Sequence, residues 1–332
     1  MQTKNEIAKE YRLKHPDFPN LKLARVIYKD HSLLFKNIEN ARDAVRRIEG
    51  KKGAVMAKRL TDKSMVMEEH RPFNPYNLPE SHSKDRTPLK LPLACNNVLL
   101  ISDLHIPYHD INAITIALDY GKKEQVNTIF INGDLIDFCQ ISKFETDWSK
   151  RSVREEFDAA KQFLVELRKA FPKAEIYWLK GNHDTRWEKF LMTKVHEIWD
   201  DPYFQLENRL QLNEQRIKLL DDKVLVKAGK LSITHGHHIM RGFFAPVNSA
   251  RGVYMKAKQS TIIGHVHKVS THSETDMDGN AVTTYSMGSL CEKRPDYSPL
   301  VSSYQHGFAH VRIENNGDYH LKNYQIINGK IF

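Results

Sequence analysis

The chain predicts an α/β fold of two packed β-sheets flanked by helices, preceded by a small all-α N-terminal domain. Three observations carry this reading. Between residues 98 and 263, short apolar runs alternate with a longer run of helical period. From residue 268 onward, β-rich runs follow one another closely, as in a meander. The first 50 residues show helical spacing alone. Early βαβ units followed by meandering strands give two sheets with helices outside them.

In the N-terminal segment, Thr3-Lys-Asn-Glu6 fits a capping box, and Ile7, Ala8, Tyr11 and Leu13 continue at roughly helical spacing. Pro16 and Pro19 end that helix. Asn20 is a candidate cap for a second helix through Leu21, Leu23, Ala24, Ile27 and Tyr28. Asn37 is a candidate cap for a third, with Ile38, Ala41, Ala44, Val45 and Ile48 inward and Gly50 at its end. Arg42 and Arg46 lie four apart on this last helix, followed by Arg47, Lys51 and Lys52. A basic trihelical unit over residues 1–60 resembles helix-turn-helix DNA-binding modules. Its other reading is a helical appendage that docks protein or packs on the body. Residues 61–95 read as a linker, with Pro72, Pro75, Pro79, Pro88 and Pro92 among polar residues.

The body is expected over residues 96–332. Val98–Ile101, Thr128–Ile131, Ile176–Leu179, Leu231–Thr234 and Thr261–Ile263 read as short buried strands. Ser152-Val-Arg-Glu155 is a second capping box, opening a helix with Val153, Phe157, Ala160, Leu164, Leu167 and Phe171 on one face. Further strands are expected at 268–273, 281–286, 307–313 and 318–327.

Each of the five buried strands runs into a polar segment. In order these are Asp103-Leu104-His105, Gly133-Asp134-Leu135-Ile136-Asp137, Gly181-Asn182-His183-Asp184, His235-Gly236-His237 and Gly264-His265-Val266-His267. Open α/β sheets place their functional groups at the carboxyl ends of strands. Oxygen and imidazole donors without cysteine suit borderline-hard divalent ions such as Mn²⁺, Fe²⁺ or Zn²⁺. A lone Asp or His in a loop is ordinarily a cap or a satisfied polar group. Five such segments in this order point to a two-metal hydrolytic site.

The five segments resemble the signature of calcineurin-like metallophosphoesterases: D-x-H, G-D-x-x-D, G-N-H-[DE], H and G-H-x-H. All five are present between residues 103 and 267. The resemblance implies a four-layer αββα sandwich of two mixed β-sheets flanked by helices, with a dinuclear centre that hydrolyses phosphate esters. It implies that Asp103, His105, Asp134 and His267 hold one ion, and Asp134, Asn182, His235 and His265 the other. Asp134 would bridge them, since one carboxylate can serve two cations about 3.5–4 Å apart. Mn²⁺ is the expected metal, with Fe, Zn and Mg as alternatives. The pair of ions would generate a bridging hydroxide as nucleophile, with Asn182 also touching the phosphoryl oxygens. His183 resembles the family's general acid, and Asp137 would orient it. Arg186 is a candidate phosphate contact, and Asp184, His109, His237 and His238 are candidates behind it.

The substrate is approached through departures and charge. Phe138 follows Asp137, where the related Ser/Thr protein phosphatases carry Arg, so a protein phosphatase is disfavoured. Gly181-Asn-His-Asp184 is similar to the nuclease branch, and the N-terminal arrangement resembles phage-encoded phosphoesterases. Residues 1–90 hold 20 Lys/Arg against 12 Asp/Glu, and the remainder 30 against 29. A basic arm on a near-neutral body suits a polyanion. The expected activity is therefore a phosphodiesterase or nuclease on DNA or RNA. The alternative is a small-molecule phosphatase or cyclic-nucleotide phosphodiesterase with a non-catalytic N-terminal module. Three scattered cysteines, a charged start and no run near the roughly 20 apolar residues of a membrane span point to a soluble cytoplasmic protein without a membrane partner.

Overall fold

The computed structural model describes residues 3–16, 18–49, 79, 87–142, 152–240, 247–277, 279–294 and 302–332. The chain divides into two compact units, Met1–Ser83 and Lys84–Phe332. Gly50, Lys51, Lys52 and the expected linker up to residue 78 lie outside the described residues.

The first unit holds α1 (Lys4–Lys14), α2 (Asn20–Asp30) and α3 (Ile38–Ile48). Thr3 closes its capping box with Glu6, and Asn37 accepts from the Asn40 N–H at 2.8 Å to cap α3. Ile7, Ala8, Leu23, Ala24, Ile27, Phe35, Ala41, Ala44 and Val45 form one buried core. Asn20 is not a cap. Pro19 occupies the cap position of α2 without a side-chain bond, and Asn20 is the first helical residue. Its amide instead donates to Glu49 at 2.6 Å and its oxygen accepts from Arg12. Arg12 and Glu49 form a mostly buried ion pair at 2.6 Å that ties the end of α1 to the end of α3.

The second unit begins earlier than the sequence suggests. β1 (Leu89–Lys90) lies inside the expected linker and pairs with a strand of the body, and Leu91 and Cys95 are buried behind it. Two prolines flank this short edge strand, a position where proline's missing donor is tolerated. There follow β2 (Asn97–Ile101), α4 (Ile111–Lys123), β3 (Thr128–Asn132), α5 (Val153–Ala170) and β4 (Glu175–Leu179). Next come α6 (Thr185–Lys194), α7 (Leu206–Arg209), β5 (Ile217–Leu220), β6 (Val226–Ala228), β7 (Leu231–Ile233), α8 (Ser249–Ala257) and β8 (Thr261–Ile263). The chain ends with β9 (Ser270–Thr275), β10 (Ala281–Ser286), β11 (His306–Ile313), β12 (Tyr319–Ile327) and β13 (Lys330–Ile331). No described helix is long and apolar enough to cross a membrane.

The strands form two mixed sheets. One is ordered β13-β12-β11-β2-β3-β4-β5 and the other β1-β6-β7-β8-β10-β9. Strand alternation divides the core in two. Leu99, Ile101, Ile129, Ile131, Ile176 and Trp178 face α4 and α5, where Ala113, Ala117, Phe157, Ala160 and Leu164 meet them. Val98, Leu100, Phe130, Tyr177 and Leu179 face the other way, onto Val226, Leu231, Ile233 and Ile262 of the second sheet. With α8 packed on β8, β9 and β10, the body is a four-layer αββα sandwich.

This layering positions the polar loops. β2, β3 and β4 are parallel neighbours, so their carboxyl ends lie side by side, as do those of parallel β7 and β8. Asn132 donates to the Thr234 carbonyl at 3.1 Å, and the His265 N–H donates to Asp103 at 3.0 Å. These bonds join the two sets of loops across the sheets.

Candidate dinuclear metal centre

The loops are tightly wound. Asp103, His105, Asp134, His265 and His267 all have left-handed backbone, with φ of 54°, 49°, 51°, 65° and 54°. For residues other than glycine this conformation costs on the order of 1–2 kcal/mol each and persists where the surroundings enforce it. Here the Asp103 N–H donates to the Gly133 carbonyl and the His105 N–H to that of Asp134, at 3.1 and 3.0 Å. Two glycines make the packing possible. A Cβ on Gly181 would overlap the Asp134 carboxylate, and one on Gly264 would overlap Ser102 and the Asp103 carboxylate.

Three groups meet in a first cluster. Asp103 Oδ1 lies 3.1 Å from His267 Nε2, and His267 Nε2 lies 3.2 Å from His105 Nε2. His105 Nδ1 is held by Asp137 Oδ1 at 2.8 Å, which turns Nε2 toward the cluster. All three residues are buried. Burial raises the Asp103 carboxyl, but His267 beside it prevails and holds it down at about 2.

Asp134, His235 and His265 make a second cluster. Asp134 Oδ2 is 3.1 Å from His235 Nε2 and 3.8 Å from His105 Nε2, so one carboxylate faces both clusters. Asn182 Oδ1 joins at 3.3 Å from His235 Nε2. The Asn132 carbonyl accepts from His235 Nδ1 at 2.8 Å and fixes the ring with Nε2 inward. Burial, then the charge of His235, lowers His265 to about 4, which keeps its imidazole neutral and able to ligate. Against burial, Asp134 raises His235 to about 9; a divalent cation would compete for the place of that proton.

Beside these clusters stands His183. Its ring meets that of His105 edge-on, centroids 4.4 Å apart. Its Nδ1 lies 2.9 Å from the Asp137 carbonyl and 3.1 Å from Asp137 Oδ1. Asp137 thus holds both His105 and His183. Burial works against its charge, but hydrogen bonds from the two imidazoles keep its carboxyl well below the usual range. Arg186 donates to the Asp137 carbonyl at 2.8 Å and reaches His183 Nε2 at 3.1 Å.

The sequence profile of calcineurin-like phosphoesterases matches residues 97–284. The chain belongs to that family. Among curated proteins it is similar to the Gene 54 protein of Mycobacterium phage L5, 25% identical over 228 residues, or 65% of this chain and 89% of that one. The Gene 54 protein of Mycobacterium phage D29 is 26% identical over 233 residues, 66% and 89% of the respective chains. Among solved structures, Vacuolar Protein Sorting 29 from Cryptosporidium parvum aligns with a TM-score of 0.40 and 17% identity, covering 71% of this chain and 94% of that one.

Calcineurin-like phosphoesterases bind two divalent metals, and the donors here fit such ions. Facing imidazole nitrogens with carboxylate oxygens about 3 Å away are a cation's ligand set. All seven sequence-predicted ligands lie in these two clusters or against them.

The remaining candidates fall elsewhere. Asp184 is a clamp, accepting from the N–H groups of Asp134, Gly181 and Ile136 and from the Trp178 indole at 2.7–3.3 Å. Burial, then Asp134, pushes its carboxyl up to about 6. His109 forms a backbone bridge to Cys291 and joins none of the His/Asp clusters among the described residues. His237 and His238 converge on Asp222 instead. In the N-terminal unit, Arg42 and Arg46 both approach Glu39, at 3.4 and 3.3 Å, and Arg46 also approaches Asp43 at 3.8 Å. Sequence reading missed Asn132, Ser102, which donates to Asp103 at 2.5 Å, and Tyr304, whose ring lies 4.1 Å from that of His267. Ser102 and Asn132 sit next to motif residues, so only their adjacency signals them; Tyr304 leaves no signal.

Proposed function

We propose that the protein is a metal-dependent phosphodiesterase acting on DNA or RNA, with Mn²⁺ as its working metal and His183 as general acid. The observation that supports this best is the placement of His183: a partly buried imidazole beside the ligand clusters, its Nδ1 held by Asp137. When bound, two divalent cations lower the pKa of water between them and neutralise charge on phosphoryl oxygens. Asn182 donates to one of those oxygens. His183 Nε2 gives its proton to the leaving alkoxide, and Asp137 steadies the imidazolium. In the structure Arg186 donates to that same nitrogen; for Nε2 to carry the proton, Arg186 has to turn from it onto the phosphate next to the leaving group. Phe138 is fully buried, so no cationic side chain follows Asp137 to hold a phosphoprotein. The excess of Lys/Arg in residues 1–90 supports a polyanionic substrate.

A second reading has its own support. Glu39 and Asp43 neutralise much of the charge of Arg42 and Arg46, leaving Arg47, Lys51 and Lys52 as the candidate phosphate contacts. On this reading the N-terminal unit is an interaction module, and the substrate is a small phosphoester or cyclic nucleotide.

The test is Mn²⁺-supplemented hydrolysis of single-stranded DNA, duplex DNA, RNA and bis-p-nitrophenyl phosphate. His183→Ala is expected to keep its metals and lose roughly 10²–10⁴-fold in turnover on nucleic acid. Its loss on the p-nitrophenyl diester should be smaller, because that leaving group needs no proton. Full activity of the variant on nucleic acid would overturn the acid assignment. Wild-type activity confined to small esters would overturn the nuclease reading in favour of the second.

A further inference from the structure

Outside the centre, one other group of metal-ligating side chains converges among the described residues: Asp222, His237 and His238. Asp222 follows β5 and the two histidines follow β7, so strands of both sheets deliver them. His237 Nε2 lies 3.1 Å from Asp222 Oδ2 and His238 Nε2 lies 3.0 Å from the same oxygen. These edges match those of the two clusters above, where Asp103 to His267 and Asp134 to His235 are each 3.1 Å. The two rings sit 3.9 Å apart, bringing both nitrogens to one carboxylate.

Hydrogen bonding alone accounts poorly for this arrangement. Two imidazoles on a single oxygen both have to carry a proton at Nε2. His237 Nδ1 is then a bare acceptor, and it is buried without a partner among the described residues. Only the bond to Asp222 therefore orients the His237 ring, and a cation taking the place of that Nε2 proton would meet a lone pair aimed at the same carboxylate. Asp222 and His238 also line a cavity of about 450 Å³, together with Lys223, Thr234 and Ile239. His238 is about a third exposed at its edge, at 34%. Two imidazoles and a carboxylate with an open side are the donor set of zinc sites that keep a position for water.

We infer that Asp222, His237 and His238 form a third divalent-cation site, of zinc type, separate from the dinuclear centre. Its neighbour is the second cluster, since the rings of His237 and His235 are 5.4 Å apart. A cation held there adds positive charge at the border of the centre and the cavity. The site uses none of the seven ligands assigned to the centre, so it stands whichever substrate the enzyme takes.

The full chain, stripped with chelator and reloaded with Zn²⁺, is assayed for bound metal by mass spectrometry. His238→Ala and Asp222→Asn are each expected to bind one equivalent less than wild type. Zinc anomalous scattering from wild-type crystals should show a peak among the three side chains. Equal stoichiometry in wild type and both variants would overturn the site. If a variant loses more than one equivalent, the anomalous map decides: a peak at Asp222 supports the site and its absence overturns it.

Discussion

At the scale of single residues, Asp134 is the hinge of the centre. One of its oxygens faces His235 and His105, and the other accepts the His183 N–H at 2.8 Å. It therefore ties both clusters to the loop that carries His183. Asp134→Ala is expected to lose both metals, as measured by metal analysis, and to fall to background hydrolysis. Retention of two equivalents with only slowed turnover would mean that neither cluster depends on it. The clustering of these side chains was legible because each motif pairs donor residues with a strand end. Asp184 was not. Its position in Gly181-Asn-His-Asp184 suggests chemistry, yet its two oxygens are consumed by four N–H donors within the fold. A sequence shows which groups can donate or accept, but not which of them the fold has already satisfied.

At the scale of elements, α5 shows both what a pattern carries and where it stops. The helical stripe from Val153 to Phe171 packs on the first sheet as its spacing predicts, and Ser152 closes the capping box. α4 and α8 went unread because small residues make much of their contact: Ala113, Ala117 and Gly121 in one, Ser249, Ala250 and Gly252 in the other. Such residues leave little apolar periodicity. Glu156, beside the apolar stripe of α5, is 1% exposed, and its carboxylate accepts from the backbone N–H groups of Phe138 and Cys139. Burial first, and the charge of Asp137 second, push its carboxyl from the usual 4.5 up to about 8. Between those pH values the folded chain holds a proton that the unfolded chain releases. Its contribution to stability is thus fully present below about pH 4.5 and is lost as pH rises through about 8. Glu156→Gln, which keeps the shape without the charge, should stabilise the protein at pH 9 by roughly 2–4 kcal/mol and change little at pH 4. Thermal unfolding across that range tests it. A destabilising effect at pH 9 would show that the two N–H bonds to an ionised carboxylate outweigh its burial.

At the scale of the whole molecule, charge and chemistry are unevenly shared by the two units. The body carries the His/Asp clusters found among the described residues, while Met1–Ser83 holds 17 Lys/Arg against 11 Asp/Glu, or +6 of the chain's +9. The fold of the body was readable as layers because its strands are short, apolar and punctuated by polar turns. Its starting point was not, since Leu89 and Leu91 sit between prolines and acquire strand character only by pairing with β6. That edge strand determines how the units are to be separated experimentally. A chain of residues 87–332 keeps β1, whereas one starting at residue 91 removes it and uncovers β6. If the N-terminal segment recruits nucleic acid, residues 87–332 should hydrolyse bis-p-nitrophenyl phosphate at the full-length rate and bind DNA more weakly. Its binding should also depend less steeply on salt, by about 0.9 in log–log slope for each duplex phosphate that the shorter chain leaves unneutralised. Equal affinity and slope for both chains would place polyanion recognition in the body. Arg186 and the loops around the centre would then be its source, and the first three helices would be left to bind another partner.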